Sequence, residues 1–179
     1  KDIATTAQGL RFSPQYIENK LKFSPYIAEA VILGAGHDYL TAIICVRYSI
    51  VSKWAEKKRI AFSSYTDLSN QQQIYDLIAG EVEQVNASLP EAQRIRKFLL
   101  LYKELDADDG ELTRTRKVRR GVIGERYGGL IDALYTDATT AHLDAEVTYE
   151  DGRKSKVKAD MRIMTVGTPH ESATMKKAS

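Results

Sequence analysis

Apolar residues in the first half of the chain occur in short runs that are separated by polar turns. The runs at 27–34 and 40–47 contain many β-branched side chains and flank a link, 35–39, of hairpin length. This pattern predicts two antiparallel strands with a buried face. A third apolar run, 95–105, predicts a central strand.

Other stretches show the three-to-four-residue apolar spacing of helices. Ser13 as N-cap and Pro14 at the first helical position predict a short helix that ends near Phe23. Residues 50–58 predict a second helix, in which Trp54 is interpreted as a core anchor.

A long helix is predicted from about Asn70 to Ser88, with Ser69 as its cap and Pro90 at its end. Its apolar residues fall at steps of three or four and form one stripe. The stripe comprises Ile74, Leu77, Ile78, Val82 and Val85.

Hairpin patterns occur near both ends of the chain. Residues 3–12 alternate around Gly9 and predict a short hairpin. Residues 145–158 alternate around an Asp-Gly turn and predict a longer one, whose second strand continues toward Val166. Between them, residues 117–135 predict a helix that is loosened near two consecutive glycines.

Composition changes after Tyr135 and suggests two parts. The first is a domain over residues 1–136. The second is an extension over residues 137–179, which comprises a linker, the longer hairpin and a loose tail from Gly167.

Whole-chain composition argues against several classes of protein. A net charge of +2 over 179 residues is nearly balanced, unlike that of a dedicated nucleic-acid binder. No apolar stretch reaches the roughly 18 residues that a membrane span needs. The single cysteine, Cys45, lies in an apolar run and fits a buried thiol in a reducing compartment. We expect a cytoplasmic protein, with peripheral membrane association as the open alternative, and we expect a chain that starts at Lys1 to be a piece of a longer one.

The densest charge cluster follows an acidic turn at 106–110. Five cations lie within seven residues, namely Arg114, Arg116, Lys117, Arg119 and Arg120. Such a segment suits a phosphate or carboxylate group, and backbone N–H groups at the start of a helix add to that preference. Taken alone, the cluster also fits a solvated helix start.

Two motifs resemble those of a known family. Residues 113–120, Thr-Arg-Thr-Arg-Lys-Val-Arg-Arg, resemble the Thr-x-Thr-x-Lys-x-(Lys/Arg)-Arg pattern near the C-terminus of long-chain acyl-CoA synthetases, which belong to the superfamily of adenylate-forming enzymes. Other branches of that superfamily have glycine at the position of Arg116. Residues 9–18 resemble the family's Gly-x-x-(Val/Phe)-Ser-Pro-x-x-Ile-Glu segment, and residues 1–3 stand at the family's hinge.

The resemblance implies an α+β lid domain: a short N-terminal hairpin, then a three-stranded sheet packed with helices, here followed by the C-terminal β-hairpin appendage. It implies a two-step reaction in which a fatty acid and ATP give an acyl-adenylate, and coenzyme A then displaces AMP. It also implies that the partner is the protein's own N-terminal adenylation domain, which binds the fatty acid and most of the ATP with its Mg²⁺. The chain alone would be inactive.

The motif positions carry implied roles. Lys117 is the implied catalytic lysine of the first step, and Lys1 is the implied hinge residue. Gly9, Leu10 and Arg11 resemble the segment that lines the tunnel for coenzyme A, although an ordinary hairpin turn would also use a glycine.

Four cations near Lys117 are candidates for binding the phosphates of coenzyme A, with exposed helix surface as the alternative for each. These are Arg114, Arg116, Arg119 and Arg120.

The alternative function is a free-standing α+β module that binds RNA or an acidic partner through the basic loop 114–120. The lack of aromatic residues among these cations argues against single-stranded nucleic acid, which normally needs stacking surfaces. We therefore expect no nucleic-acid partner. We also expect no metal site in this chain, because its three histidines are isolated. Asp108 and Asp109 are interpreted as turn formers.

Overall fold

A computed structural model describes residues 2–148 and 151–167 of the chain. The described residues form two compact units. The first unit contains those up to Glu104 and those from Met164 onward, and the second contains Leu105–Ile163. Both units combine helices with strands, which confirms the predicted α+β class.

The first unit starts with the predicted short hairpin, made of β1 (Ala4–Thr5) and β2 (Arg11–Phe12). Helix α1 (Pro14–Lys22) follows directly, because the Ser13 hydroxyl accepts a hydrogen bond from the backbone N–H of Tyr16 at 3.3 Å. The cap and the proline therefore fix the start of α1 as predicted.

The main sheet contains β3 (Ile27–Leu33), β4 (Leu40–Val46) and β5 (Ile95–Leu100), in that order. β3 pairs antiparallel and β5 parallel with β4. A fourth strand, Met164–Thr165, pairs antiparallel with β5. The sheet thus has four strands where three were predicted, because this distant segment returns to the edge that β5 would otherwise leave open.

Three helices connect β4 to β5, namely α2 (Tyr48–Lys57), α3 (Tyr65–Ser69) and α4 (Gln72–Ala87). They supply apolar side chains to the same buried cluster as α1 and the sheet. Trp54 is half-buried against this cluster, as expected of an anchor.

The predicted cap of the long helix is wrong. Ser69 is the buried last residue of α3, where its hydroxyl donates to the carbonyl oxygen of Thr66 at 3.2 Å. Ser64 caps α3 instead, and α4 begins only at Gln72, after Gln71, whose side chain makes no capping bond. The turn between α3 and α4 therefore carries no capping side chain that the sequence could have signalled.

Two buried polar side chains of α4 form hydrogen bonds with backbone groups of strand β5. The apolar stripe did not predict these contacts. The amide of Asn86 accepts from the N–H of Ile95 at 2.8 Å and donates to its carbonyl at 2.9 Å. The Tyr75 hydroxyl accepts from the N–H of Leu100 at 2.9 Å, while its ring stacks on Phe98 at a centroid distance of 5.7 Å. These contacts fix α4 against one strand.

The second unit contains α5 (Arg120–Arg126), α6 (Gly128–Leu134), β6 (Thr140–Thr148) and β7 (Lys154–Arg162). The helix predicted over 117–135 is thus split in two and starts later. β6 and β7 form the predicted longer hairpin, with paired residues that run continuously from one end of the ladder to the other.

The hairpin exposes one face of charged pairs, such as His142 with Asp160 and Glu146 with Lys154. Within the described ranges, no helix is long and apolar enough to span a membrane. The predicted tail lies outside the described residues from position 168 onward, and the domain limits 1–136 and 137–179 stay predictions.

We predict that Glu18→Ala destabilises the protein. Glu18 is 4% exposed, and its carboxylate accepts a hydrogen bond from the N–H of Ile32 on β3 at 2.7 Å. Truncation to alanine removes this acceptor and leaves the buried N–H of Ile32 without its bond to Glu18. The expected loss in the free energy of unfolding is about 1–3 kcal/mol, measured by urea denaturation. Glu56→Ala, at an exposed position of α2, is the control. Equal stability of the two variants would contradict this role.

Candidate functional site

The basic segment of the second unit follows a tight acidic turn. The Asp106 carboxylate accepts from the N–H of Asp108 at 2.9 Å, and the N–H of Gly110 donates to the carbonyl of Ala107 at 3.0 Å. Gly110 has a φ of 77°, which favours glycine. The aspartates therefore lie in a turn, as the sequence suggested.

Lys117 lies in a short hairpin that this turn introduces. Leu112 and Val118 form an antiparallel bridge, and the N–H of Thr113 donates to the carbonyl of Lys117 at 2.8 Å. The N–H of Arg116 donates to the carbonyl of Thr113 at 2.9 Å, which closes a three-residue loop. Lys117 thus belongs to a bonded hairpin rather than to the following helix, which explains why that helix begins only at Arg120.

Threonine side chains strengthen the loop from inside. The hydroxyl of Thr113 accepts from the N–H of Lys117 at 3.0 Å and lies 3.1 Å from the hydroxyl of Thr115. Thr113 therefore holds the backbone of the lysine, and Thr115 contacts the Thr113 hydroxyl, which gives the Thr-x-Thr-x-Lys spacing a physical reason.

Arg116 has a φ of 63°, in the left-handed region that side chains other than glycine seldom adopt. Three-residue hairpin loops commonly place a glycine in this conformation at their last position. The position is the one at which other branches of the superfamily have glycine. A left-handed φ at this position favours glycine, and this chain adopts it with an arginine.

The ammonium of Lys117 is available for an external anion. Lys117 is exposed, and in the described part of the chain its Nζ has no hydrogen bond or ion pair. Arg114 is also exposed, while the guanidinium of Arg119 donates to the carbonyl of Gly110 at 3.1 Å and so ties the two sides of the hairpin. An anion can approach Lys117 without breaking an existing ion pair.

A buried carboxylate underlies this hairpin and was not predicted. Glu111 is fully buried, and its oxygens accept from the Tyr127 hydroxyl, from the N–H of Asp106 at 3.1 Å and from the guanidinium of Arg126 at 3.0 Å. Burial acts to lower the pKa of Arg126, but the bond and charge of Glu111 outweigh it and the pKa is raised. Glu111 follows an acidic turn and lies between a glycine and a leucine, so its sequence context does not distinguish it from a surface acid.

The residues proposed to line the tunnel for coenzyme A lie in the first unit. Gly9 is exposed with a φ of 85°, and a Cβ built there would meet nothing within 4 Å. Leu10 is half-buried and donates its N–H to the Thr6 hydroxyl at 3.1 Å, while Arg11 is exposed. The hairpin thus leaves open space above its glycine. Lys1, the predicted hinge residue, lies outside the described residues.

A second concave surface of the first unit is lined by Tyr48, Tyr65 and Tyr102. The Tyr65 hydroxyl donates to the carbonyl of Val46 at 3.1 Å. Burial raises the pKa of Tyr65, and the nearby thiol of Cys45 acts in the same direction, so the hydroxyl remains a protonated donor. None of the predicted site residues falls on this surface.

Solved structures share the fold. The A-PCP didomain of a carboxylic acid reductase from Segniliparus rugosus, in complex with AMP, superposes with a TM-score of 0.60 at 17% identity, over 75% of this chain and 17% of that one. The adenylation domain of a carboxylate reductase from Mycobacterium chelonae gives 0.59 at 23% identity, over 76% and 20%. The fold is therefore one found in adenylation domains.

Residues 1–139 match the family model described as AMP-binding enzyme C-terminal domain, so the chain belongs to that family. Among curated relatives, the long-chain-fatty-acid–CoA ligase FadD15 of Mycobacterium tuberculosis is 32% identical over 136 residues, which cover 75% of this chain and 23% of that protein. The long-chain-fatty-acid–CoA ligase ACSBG2 of Gallus gallus is 26% identical over 166 residues, covering 83% and 22%. The chain spans less than a quarter of the length of these relatives.

We predict that Arg116→Gly raises the free energy of unfolding by up to about 1 kcal/mol, because glycine relieves the strain of the left-handed backbone. Arg116→Val should lower it by about 1–2 kcal/mol, since a β-branched side chain tolerates this φ least. Both are measured by urea denaturation. Arg114→Gly is the matched control: the same change in the same loop, at a residue without positive φ, should be destabilising. The same sign for both glycine variants would contradict the account.

Proposed function

We propose that the chain is the mobile C-terminal domain of an AMP-forming long-chain fatty acid–CoA ligase, and that Lys117 supplies a positive charge during formation of the acyl-adenylate. The carrying observation is the exposed ammonium of Lys117, which has no partner among the described residues, on a hairpin whose backbone is held by its own motif residues. The match to the C-terminal domain family and the ligase names of the relatives support the same proposal.

The physical role of Lys117 is electrostatic. When a carboxylate attacks the α-phosphate of ATP, negative charge gathers on the reacting oxygens, and a fixed ammonium stabilises that charge without proton transfer. The hairpin favours this role because Lys117 breaks no ion pair when it turns to an anion, and because its backbone is bonded on both sides. The surrounding arginines add positive potential that attracts phosphates.

Residues outside the lysine hairpin would perform the other functions that the reaction needs. ATP, the acyl chain and the Mg²⁺ that accompanies ATP would be bound mainly by an N-terminal domain, so the chain alone would be inactive. Lys1 would be the hinge about which the domain turns between the two steps. Gly9, Leu10 and Arg11 would contact the pantetheine arm of coenzyme A, for which the open space at Gly9 is suitable.

Lys117→Ala in the full-length ligase should lower adenylation, measured as pyrophosphate release with ATP and fatty acid, by about a hundred- to a thousandfold. Thioester formation from a pre-made acyl-adenylate should stay near the wild-type rate. Lys53→Ala, at an exposed lysine of α2, is the control and should leave both rates unchanged. Normal adenylation by Lys117→Ala would refute the proposal, and salt-dependent binding of the basic loop to RNA would then be the function to test.

Gly9→Ala in the same protein should slow the thioester step on the order of tenfold, because a side chain enters the open space and the backbone at this φ is strained. Adenylation should be unaffected. Gly152→Ala provides a matched control, since Gly152 has a φ of 84° and similarly open surroundings in the longer hairpin. A thioester rate for Gly9→Ala equal to that of Gly152→Ala would argue against a tunnel at this hairpin.

A further inference from the structure

The fully buried carboxylate of Glu111 joins three chain segments of the second unit. One oxygen accepts from the backbone N–H of Asp106 at 3.1 Å, at the start of the acidic turn. The other accepts from the Tyr127 hydroxyl and from the guanidinium of Arg126 at 3.0 Å, both at the end of α5. Glu111 therefore links the turn before the lysine hairpin to the helix after it.

The backbone of Glu111 is also the base of that hairpin. Its carbonyl accepts from the N–H of Arg119 at 2.9 Å, and its own N–H donates to the carbonyl of Asp106 at 3.0 Å. From this base the hairpin continues through the Leu112–Val118 bridge to Lys117. Glu111 and Lys117 are thus joined by a continuous set of backbone contacts.

Bonds within the hairpin hold the loop beyond the bridge. Thr113, through its backbone and its hydroxyl, bonds to Arg116 and Lys117, and these contacts fix the shape of the loop. They do not fix its direction relative to α5. The direction is set at the base, where the carboxylate contacts Arg126 and Tyr127.

We propose that Glu111 is a positioning residue for Lys117: its bonds to the buried Tyr127 and to the partly exposed Arg126 orient the hairpin so that the lysine ammonium meets the charge that develops in the adenylation step. The Glu111 carboxylate is fully buried while the Arg126 side chain is 37% exposed, and a carboxylate removed from water is stable as a charge only while it keeps its donors. This inference rests on the proposed function of Lys117.

The test uses the full-length ligase and compares Glu111→Gln with Tyr127→Phe. Glu111→Gln keeps the side-chain shape and an oxygen acceptor but removes the charge opposite Arg126. Tyr127→Phe removes a single hydroxyl and keeps the buried ring, so it serves as the milder variant if Glu111→Gln fails to fold. Each should lower kcat for adenylation about tenfold, with KM for ATP and for fatty acid unchanged and with the thioester step preserved. Glu111→Asp, which keeps the charge, should recover part of the loss.

A double-mutant cycle separates positioning from general stability. In a Lys117→Ala background, Glu111→Gln and Tyr127→Phe should cause no further loss of adenylation, because the residue they position is absent. Glu29→Gln is the matched control, since Glu29 is a second buried carboxylate, 3% exposed and 3.4 Å from the ammonium of Lys22 in the first unit. It should leave the ratio of the two half-reaction rates unchanged.

The outcomes are distinguishable. If Lys117→Ala adenylates normally, the proposed function fails, and the role of Glu111 fails with it. If Lys117→Ala loses adenylation but Glu111→Gln and Tyr127→Phe slow both half-reactions equally, the positioning role is overturned while the proposed function stands. The positioning role would also be overturned if Glu111→Gln and Tyr127→Phe lowered the adenylation rate by the same factor with and without Lys117.

Discussion

The lysine hairpin depends on a carboxylate that never meets solvent. Glu111 receives donors from the turn before it and from the end of the helix after it, while its backbone closes the base of the hairpin. An exposed ammonium with no ion-pair partner can keep one direction only if something else holds its loop. In this chain the holding contacts are buried at the base, and the charge that they position is left accessible.

Within the motif, too, some residues hold the loop while Lys117 stays accessible. The Thr113 hydroxyl bonds to the backbone of the loop, Arg119 ties its two sides, and the left-handed residue at Arg116 completes the turn. These motif residues hold the loop and leave Lys117 accessible. The strain at Arg116 is a local cost, which the surrounding bonds offset.

Local signals predicted much of the fold from the sequence. Ser13 and Pro14 act within one helical turn, and the β3, β4 and β5 runs carry their own apolar patterns, so these elements were predicted where they occur. The strand predicted over 95–105 ends earlier, at Leu100. The failures have two causes, one local and one over a long separation in the sequence. Ser69 resembles a cap but is buried at the end of a separate helix, and the Met164–Thr165 strand joins a sheet whose other members lie far earlier in the chain.

The site was predicted in the same uneven way. The role of Lys117 was predicted from the motif and stays a prediction. Glu111 gave no signal, because its partners lie 15 and 16 residues away and include a tyrosine, a residue type that also fits an ordinary core position. The left-handed conformation of Arg116 was not predicted, because an arginine gives no sequence signal for a positive φ.

Chemical labelling of Lys117 in the full-length ligase tests the central claim most directly. Acetylation of Lys117 is followed by mass spectrometry, with the exposed Lys53 of α2 as an internal reference. In the free enzyme both lysines should react at similar rates, and a non-reactive acyl-adenylate analogue should slow the labelling of Lys117 alone. Labelling of Lys117 that is unchanged by the analogue would contradict the claim that its ammonium reaches the reacting phosphate.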